Sequence, residues 1–413
     1  MKSIKIVRSL TLAVAMLGAS SVQAQSPEQV AQEVLTAHPV IDGHNDAPEQ
    51  IAERFDGDLS QVDFRNTLQT LGHGSKVMHT DIARLRQGKV GGQFWSVWID
   101  PELPQFEAVH KVIEQIDIVH QLVARYPEDL QLALTADDVE DAQKQGRIAS
   151  LIGMEGGHSI GNSLAVLRQT YALGARYMTL THWKTLDWAD SATDAPKSDG
   201  LSEFGVSVVE EMNRLGMMVD ISHVSEAAMN DALDVTRAPV IFSHSSADGV
   251  TRHPRNVPDA VLKRLPANGG LVMVTFVPSY VSAASRDWDA GQKAETARAA
   301  ALYPGDEAAR AAHLDDWNEA NPMPPVTARD IADHIDHIRD VAGIDHIGLG
   351  GDYDGIRFTP DDLSDVSTYP VLFAELAKRG YSAADLAKIA RGNILRVMRD
   401  TESTAASMAT SKK

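Results

Sequence analysis

Seven acids and histidines of this sequence stand where short apolar runs give out, and their types suit metal-assisted hydrolysis. Asp42-Gly43-His44-Asn45-Asp46 ends one run, and Glu155 follows Leu151-Ile152-Gly153-Met154. His182, His223, His244 and Asp352 close four others. One histidine at such a place ordinarily packs or hydrogen-bonds; four imidazoles and three carboxylates at corresponding places are not explained that way. Imidazole and carboxylate without thiolate suit zinc in a site with open positions, and the chain has no cysteine. His44-x-Asp46 puts both side chains on one side of an extended strand, because the pleat has period two, so both can reach one metal. His223 and His244 can reach a second, and Glu155, between the two groups in the chain, can bridge them. Two zinc ions per chain would then share a water and polarise a carbonyl. Asp42 and Asn45 fit better as turn or supporting residues than as ligands.

Other chemistries find less support. There is no Gly-x-Ser-x-Gly elbow, and neither Gly156-Gly157 nor Gly350-Gly351 has the context of a phosphate loop. His158 reads as a hydrogen-bonded loop residue. His334 and His337, three apart on a predicted outer helix, read as surface residues, and His346 as a residue of the stability face.

What must position the seven is a recurring unit: an apolar run, polar punctuation, then an amphipathic stretch. Eight runs are predicted strands: 39–44, 93–99, 149–154, 177–182, 217–223, 240–244, 271–277 and 346–350. Amphipathic segments fill most gaps, which implies parallel strands with crossover helices and points to a (β/α)₈ TIM barrel. An open doubly wound sheet also fits the pattern alone. In a barrel, the C-terminal strand ends open onto one face, and the seven residues meet there. Two regions fall outside the repeat. Residues 59–89 read as a long functional loop with a short helix. Residues 285–325 read as a helical insertion after strand seven, able to act as a lid if it lies on the active-site face.

The ends and the bulk properties bound the setting. Lys2, Lys5 and Arg8 precede a short apolar stretch and Val22-Gln23-Ala24, so residues 1–24 read as a cleaved signal peptide. Export to the periplasm or medium follows, with no membrane anchor. Residues 25–400 form one domain, with a capping-box start at Ser382 to Asp385 before a last helix through Met398. The polar tail 401–413 is expected to be disordered. The net charge is −19, and loss of the three leader cations makes it −22, a surface that repels nucleic acid and anionic lipid.

Beyond these residue-level readings, many motifs occur together in order. They are His44-Asn45-Asp46-x-Pro48, His79-Thr80-Asp81 with Arg84 to Ser96, Glu155-Gly156-Gly157, Thr179 to His182, Asp220-x-Ser222-His223, Ser243-His244-Ser245-Ser246, Arg255 to Asp259, and Gly350 to Gly355. Together they resemble the renal (membrane) dipeptidase family of binuclear zinc peptidases, from about Pro39 to Met398. The resemblance implies a barrel of the metal-dependent hydrolase type and the same five ligands, with Glu155 bridging. It implies hydrolysis of L,L- and L,D-dipeptides by a metal-bridging hydroxide. It also implies His182 as the group that stabilises the oxyanion and Asp352 as the acid/base; both then contact substrate. Arg255 is the residue that binds the substrate carboxylate, Tyr280 a pocket residue, and the assembly a homodimer. Two departures touch the pocket rim: Glu49 replaces an aromatic residue that can follow the first-strand proline, and the 285–325 insertion is longer than in the mammalian enzymes. A deacylase of N-acyl amino acids, or a lactone-opening enzyme, would keep the metals without needing Arg255. A non-catalytic periplasmic zinc- or peptide-binding protein would not need His182 and Asp352.

Overall fold

A computed structural model describes residues 25–71 and 78–410. The predicted signal peptide lies outside the described residues. Among these, no helix is long and apolar enough to cross a membrane.

The eight barrel strands are β1 (Val40–Asn45), β2 (Val90–Trp98), β3 (Ile148–Glu155), β4 (Ala175–Thr179), β5 (Met218–Asp220), β6 (Val240–Ser245), β7 (Leu271–Val274) and β8 (Ile347–Leu349). Every neighbouring pair is parallel, and β1 pairs with both β2 and β8, so the sheet closes and the open-sheet alternative falls. Closure buries both faces of each strand, which is why these segments read as continuous apolar runs rather than alternating ones. Ile41, Phe94, Leu151, Tyr177, Ile241, Leu271 and Met273 share the barrel's inner cluster. A three-residue accessory strand, Leu130–Leu132, pairs with the start of β3. It is too short to leave a periodic signal.

The crossover helices carry the caps their sequences announce. Ser26, Thr135, Thr327 and Ser382 each close a capping box. Helix Ala328–Ala342 turns Ile331, Ile335 and Ile338 onto the barrel, and His334 with them. The surface reading of His334 is therefore corrected. It is fully buried, its Nδ1 accepts from the Ala247 N–H at 3.0 Å, and its Nε2 lies 3.2 Å from the Val281 carbonyl. His337 is half-buried and bonds Asp259 at 2.7 Å. His346 is buried below the barrel against the Gly270 carbonyl, as its place in the sequence suggests.

The insertion after β7 is a helical hairpin, Ala283–Leu302 and Glu307–Ala320, as read from the sequence. Trp288 anchors it, meeting Phe358 edge-to-face and donating to the Asn321 carbonyl at 2.7 Å. The tail differs from expectation. The last helix, Asn393–Thr410, continues well past Met398, with Thr401 buried and the Glu402 carboxylate accepting from the Ala136 N–H at 2.9 Å. Polar composition hid it because only one face of this helix meets the barrel.

Candidate active site

All nine residues singled out above meet at the C-terminal mouth of the barrel. His44 and His244 lie within β1 and β6, and Glu155 is the last residue of β3. Asp46 begins the helix after β1. His182, His223 and Asp352 follow the ends of β4, β5 and β8 by three residues each, because these strands stop short of their expected ends at 182, 223 and 350. Arg255 sits in the loop after β6 and Tyr280 in the short helix Pro278–Val281 after β7. His223 and Asp352 both adopt positive φ, 67° and 62°, a conformation that costs a non-glycine residue about 1 kcal/mol and clusters at functional sites.

Glu155 is the centre. Its Oε2 lies 3.4 Å from His44 Nε2, which is also 3.4 Å from Asp46 Oδ2. Its Oε1 lies 3.1 Å from His223 Nε2 and 3.2 Å from His244 Nε2. One carboxylate thus faces two histidine groups with different oxygens, the geometry of a bridge. Asp352 completes a tight group with His44 and Asp46, and His182 one with Glu155 and His223. A Cβ on Gly355 would stand 2.2 Å from Asp46 Oδ2 and 2.7 Å from Asp352 Oδ1, so only glycine lets these carboxylates approach.

For His44 and His244 the supporting contacts fix which ring nitrogen is bare. Tyr177 Oη donates to the Gly43 carbonyl at 3.1 Å, so it must accept from His44 Nδ1 at 3.0 Å. That leaves Nε2 without a proton, pointing into the site. The Tyr177 ring lies where a Cβ on Gly153 would be, 2.0 Å from Cζ. In the same way Ser243 Oγ donates to Asp220 Oδ2 at 2.6 Å and accepts from His244 Nδ1 at 2.8 Å. Asp220 also takes the N–H groups of Ser222 and Ser243, tying the ends of β5 and β6 together. Asp42 holds the loops rather than a ligand position: it accepts from the His44 and Gly351 N–H groups, from Gln93 and from Tyr369. Asn45 bonds Thr80 and the Ala47 N–H. Tyr177 and Asp220 had no assigned role from the sequence. Asp220 stood in a quoted motif, while nothing around Tyr177 marked it.

The electrostatics suit cations. Burial holds the His223 and His244 imidazoles well below their usual range, with Arg255 contributing. His44 moves the other way: burial opposes protonation, but the Tyr177 oxygen, Glu155 and Asp46 raise it well above. The spot that draws a proton onto His44 Nε2 is the spot that would draw a metal. Glu155 stays well below the carboxylate range despite its burial, because His44, His182, His223 and His244 surround it. Burial, then the charges of Asp46 and Glu155, push Asp352 well above that range. Burial lowers His182 to about 4, so its ring is neutral. His44 Nε2 and Asp46 Oδ1 are buried with no hydrogen-bond partner. Orphaned acceptors of this kind, in a set of three imidazoles and two carboxylates, fit divalent metal.

The cavity over this cluster holds about 670 Å³. Arg255 forms part of its wall, 2 % exposed, with Nη1 on Ser245 Oγ, Nη2 on the His244 carbonyl and its guanidinium 5.5 Å from the Tyr280 ring. It has no carboxylate partner among the described residues. The hairpin supplies the outer wall with Trp288, Asp289, Gln292 and Lys293, so the insertion does lie on the active-site face. His158 bonds the Ile99 carbonyl behind the site. Asp354, two residues from Asp352, is committed elsewhere: its Oδ1 accepts from the His79 N–H at 2.6 Å and its own N–H donates to His79 Nδ1 at 3.0 Å. Arg84, from the same motif as His79, is a buried brace on Asp81, Thr67 and the Met78 carbonyl.

Comparison with known proteins bears on this site. Residues 28–412 match the family model "Membrane dipeptidase (Peptidase family M19)". The chain is similar to "Dipeptidase verJ" of Clonostachys rogersoniana, 40% identical over 92% of this chain and 88% of that one. It is 42% identical to "Dipeptidase 3" of Mus musculus over 88% of this chain and 64% of that one. Among solved structures, the "probable dipeptidase PvdM from Pseudomonas aeruginosa" has a TM-score of 0.78 at 25% identity, covering 92% of this chain and 99% of that one. A metallo peptidase from Rhodobacter sphaeroides, liganded with a phosphinate mimic of the dipeptide L-Ala-D-Ala, shares the fold with a TM-score of 0.71 at 22% identity, covering 88% and 99%.

Proposed function

The chain belongs to the membrane dipeptidase family of metallopeptidases, and from that premise we propose that it hydrolyses L,L- and L,D-dipeptides with two zinc ions per chain. His44 and Asp46 would hold one zinc, His223 and His244 the other, and Glu155 both. The observation that carries this is the two-sided contact of Glu155, one oxygen toward each histidine group. When bound, the zinc pair would polarise the scissile carbonyl and lower the pKa of a water between them.

The chain's own groups do the rest. His182 is more open to the cavity than the five ligand side chains, 17 % against 8 % or less. Being neutral, it can donate an N–H to the oxygen on which charge develops. Asp352, a half-buried carboxylate with a raised affinity for a proton, takes the proton of the attacking water and delivers it to the leaving amine. Arg255, buried without a carboxylate partner, receives the substrate's terminal carboxylate in its planar fork, and Tyr280 packs beside it. Fixing that carboxylate at one distance from the cluster makes the site measure a dipeptide. Export by residues 1–24, a periplasmic location and a homodimer complete the proposal. Turnover of an L,L- and L,D-dipeptide panel by metal-loaded and chelated protein tests it; equal activity after full chelation, or none on any dipeptide, rejects it.

A further inference from the structure

We propose that Glu49 makes this dipeptidase select substrates whose amino-terminal residue carries a basic side chain. The inference rests on the dipeptidase reading and concerns which dipeptides the pocket prefers. Glu49 is the third residue of helix Ala47–Phe55, where a glutamate commonly turns back to satisfy the N–H at the helix start. Here that N–H, of Asp46, donates to the Tyr353 carbonyl at 3.0 Å, and Asp46 makes no side-chain cap. Glu49 is thus free of the capping task. Its half-buried side chain lines the cavity and makes no hydrogen bond or ion pair with any described residue.

The charges that act on it most strongly are all of its own sign: Asp46, Glu53, Glu155 and Asp352. Arg255 is not among them; it acts on His182, His223 and His244, and also on Asp352. Along the floor of the cavity the histidines thus lie between the Arg255 guanidinium and the carboxylates around Glu49, while Asp289, Lys293 and Arg357 also line the cavity. A dipeptide held by its carboxylate at Arg255, with its amide over the histidines, places its amino-terminal residue at the acidic end. The α-ammonium is tied close to the amide and stays beside Asp46 and Asp352. Glu49 stands about one helical turn beyond Asp46, so a longer stem is needed to reach it. A lysine ammonium or arginine guanidinium on a flexible chain has that reach, and the roughly 670 Å³ cavity has the room. Burial and these like charges raise the Glu49 carboxyl to about 9, so it is a cation at its side, such as the substrate's basic end, that lets it ionise and accept.

The test compares kcat/KM for L-lysyl-, L-norleucyl- and L-alanyl-L-alanine, with wild-type holoenzyme and Glu49→Gln. Norleucine keeps the lysine stem without its charge. The wild type should favour lysyl over norleucyl substrate by about tenfold or more, and Glu49→Gln should bring that ratio close to one. A wild-type ratio near one overturns the proposal, as does a ratio that survives Glu49→Gln. A loss in the variant that is equal for all three substrates also overturns it, since Glu49 would then hold the α-ammonium or only support the helix. Failure of the dipeptidase reading looks different: the wild type would cleave none of the three.

Discussion

His223 Nε2 lies 2.8 Å from His244 Nε2, and both lie within 3.2 Å of the same oxygen of Glu155. With His244 carrying its proton on Nδ1 toward Ser243, the contact sets lone pairs against one another unless a proton or a cation lies among them. Asp220 ties the strand ends that carry the two rings, so these three acceptors are held facing a common point.

The first prediction concerns that charge. Purified protein should carry close to two zinc per chain by elemental analysis, and Glu155→Gln should lower occupancy of both positions. At most one metal with full activity would falsify the binuclear reading.

The second concerns the residues behind the ligands. Tyr177→Phe removes the acceptor that orients His44, and Ser243→Ala the one that orients His244, while each leaves the barrel packed. Each should weaken zinc binding by about 10–100-fold, the usual cost of losing an orienting partner. Competition with a chelating dye reads this directly; unchanged affinity in both would mean that the rings are held by packing alone.

The third concerns length selection. Arg255→Ala should lose about 2–4 kcal/mol of transition-state binding, the range for one partner of a buried charge pair. Dipeptide amides and tripeptides should be poor substrates of the wild type. Equal hydrolysis of a dipeptide and its C-terminal amide would give Arg255 another task.

The fourth separates proton handling from metal binding. His182→Ala should cost roughly 10²–10³ in kcat, as for other single oxyanion donors, with zinc content unchanged. Asp352→Asn should cost on the order of 10²–10⁴ and flatten one limb of the pH–rate profile. Asp354→Asn should matter less for turnover and more for stability, because Asp354 is engaged with His79. Zinc depletion in the His182 or Asp352 variant would move that residue into the ligand set.

The fifth is a pH effect outside the site. Burial lowers His334 from the ordinary 6.5 to about 4, and its bare Nδ1 accepts a backbone N–H. As pH falls, the unfolded chain takes up this proton first, so folding stability contributed by His334 is present above 6.5 and is lost down to about 4. The loss across that window is on the order of 3 kcal/mol. His334→Asn, which keeps an acceptor without the titration, should shallow the fall of metal-loaded Tm with acid; an unchanged slope would show that His334 takes no part.

The sequence by itself determined the number and order of the barrel strands, because each is buried on both faces and leaves a continuous apolar run. It also marked the residues that gather at the mouth, because in a parallel barrel every strand end faces the same way. The insertion announced itself by breaking the repeat. Other features were decided only by the tertiary structure. Closure of the sheet depends on β1 meeting β8, some 300 residues on, which no local pattern carries. The burial of His334 depends on which turn of an outer helix faces the barrel. The helix past Met398 runs on where Thr401 is buried and Glu402 accepts from the Ala136 N–H of a distant helix, a contact that polar composition conceals. The roles of Tyr177 and Asp220 as orienting partners, and of Glu155 as a carboxylate with an oxygen for each histidine group, depend on side chains from different strands meeting within 3.5 Å. Spacing along a strand says which face a residue takes; only the packed barrel says which atom it meets there.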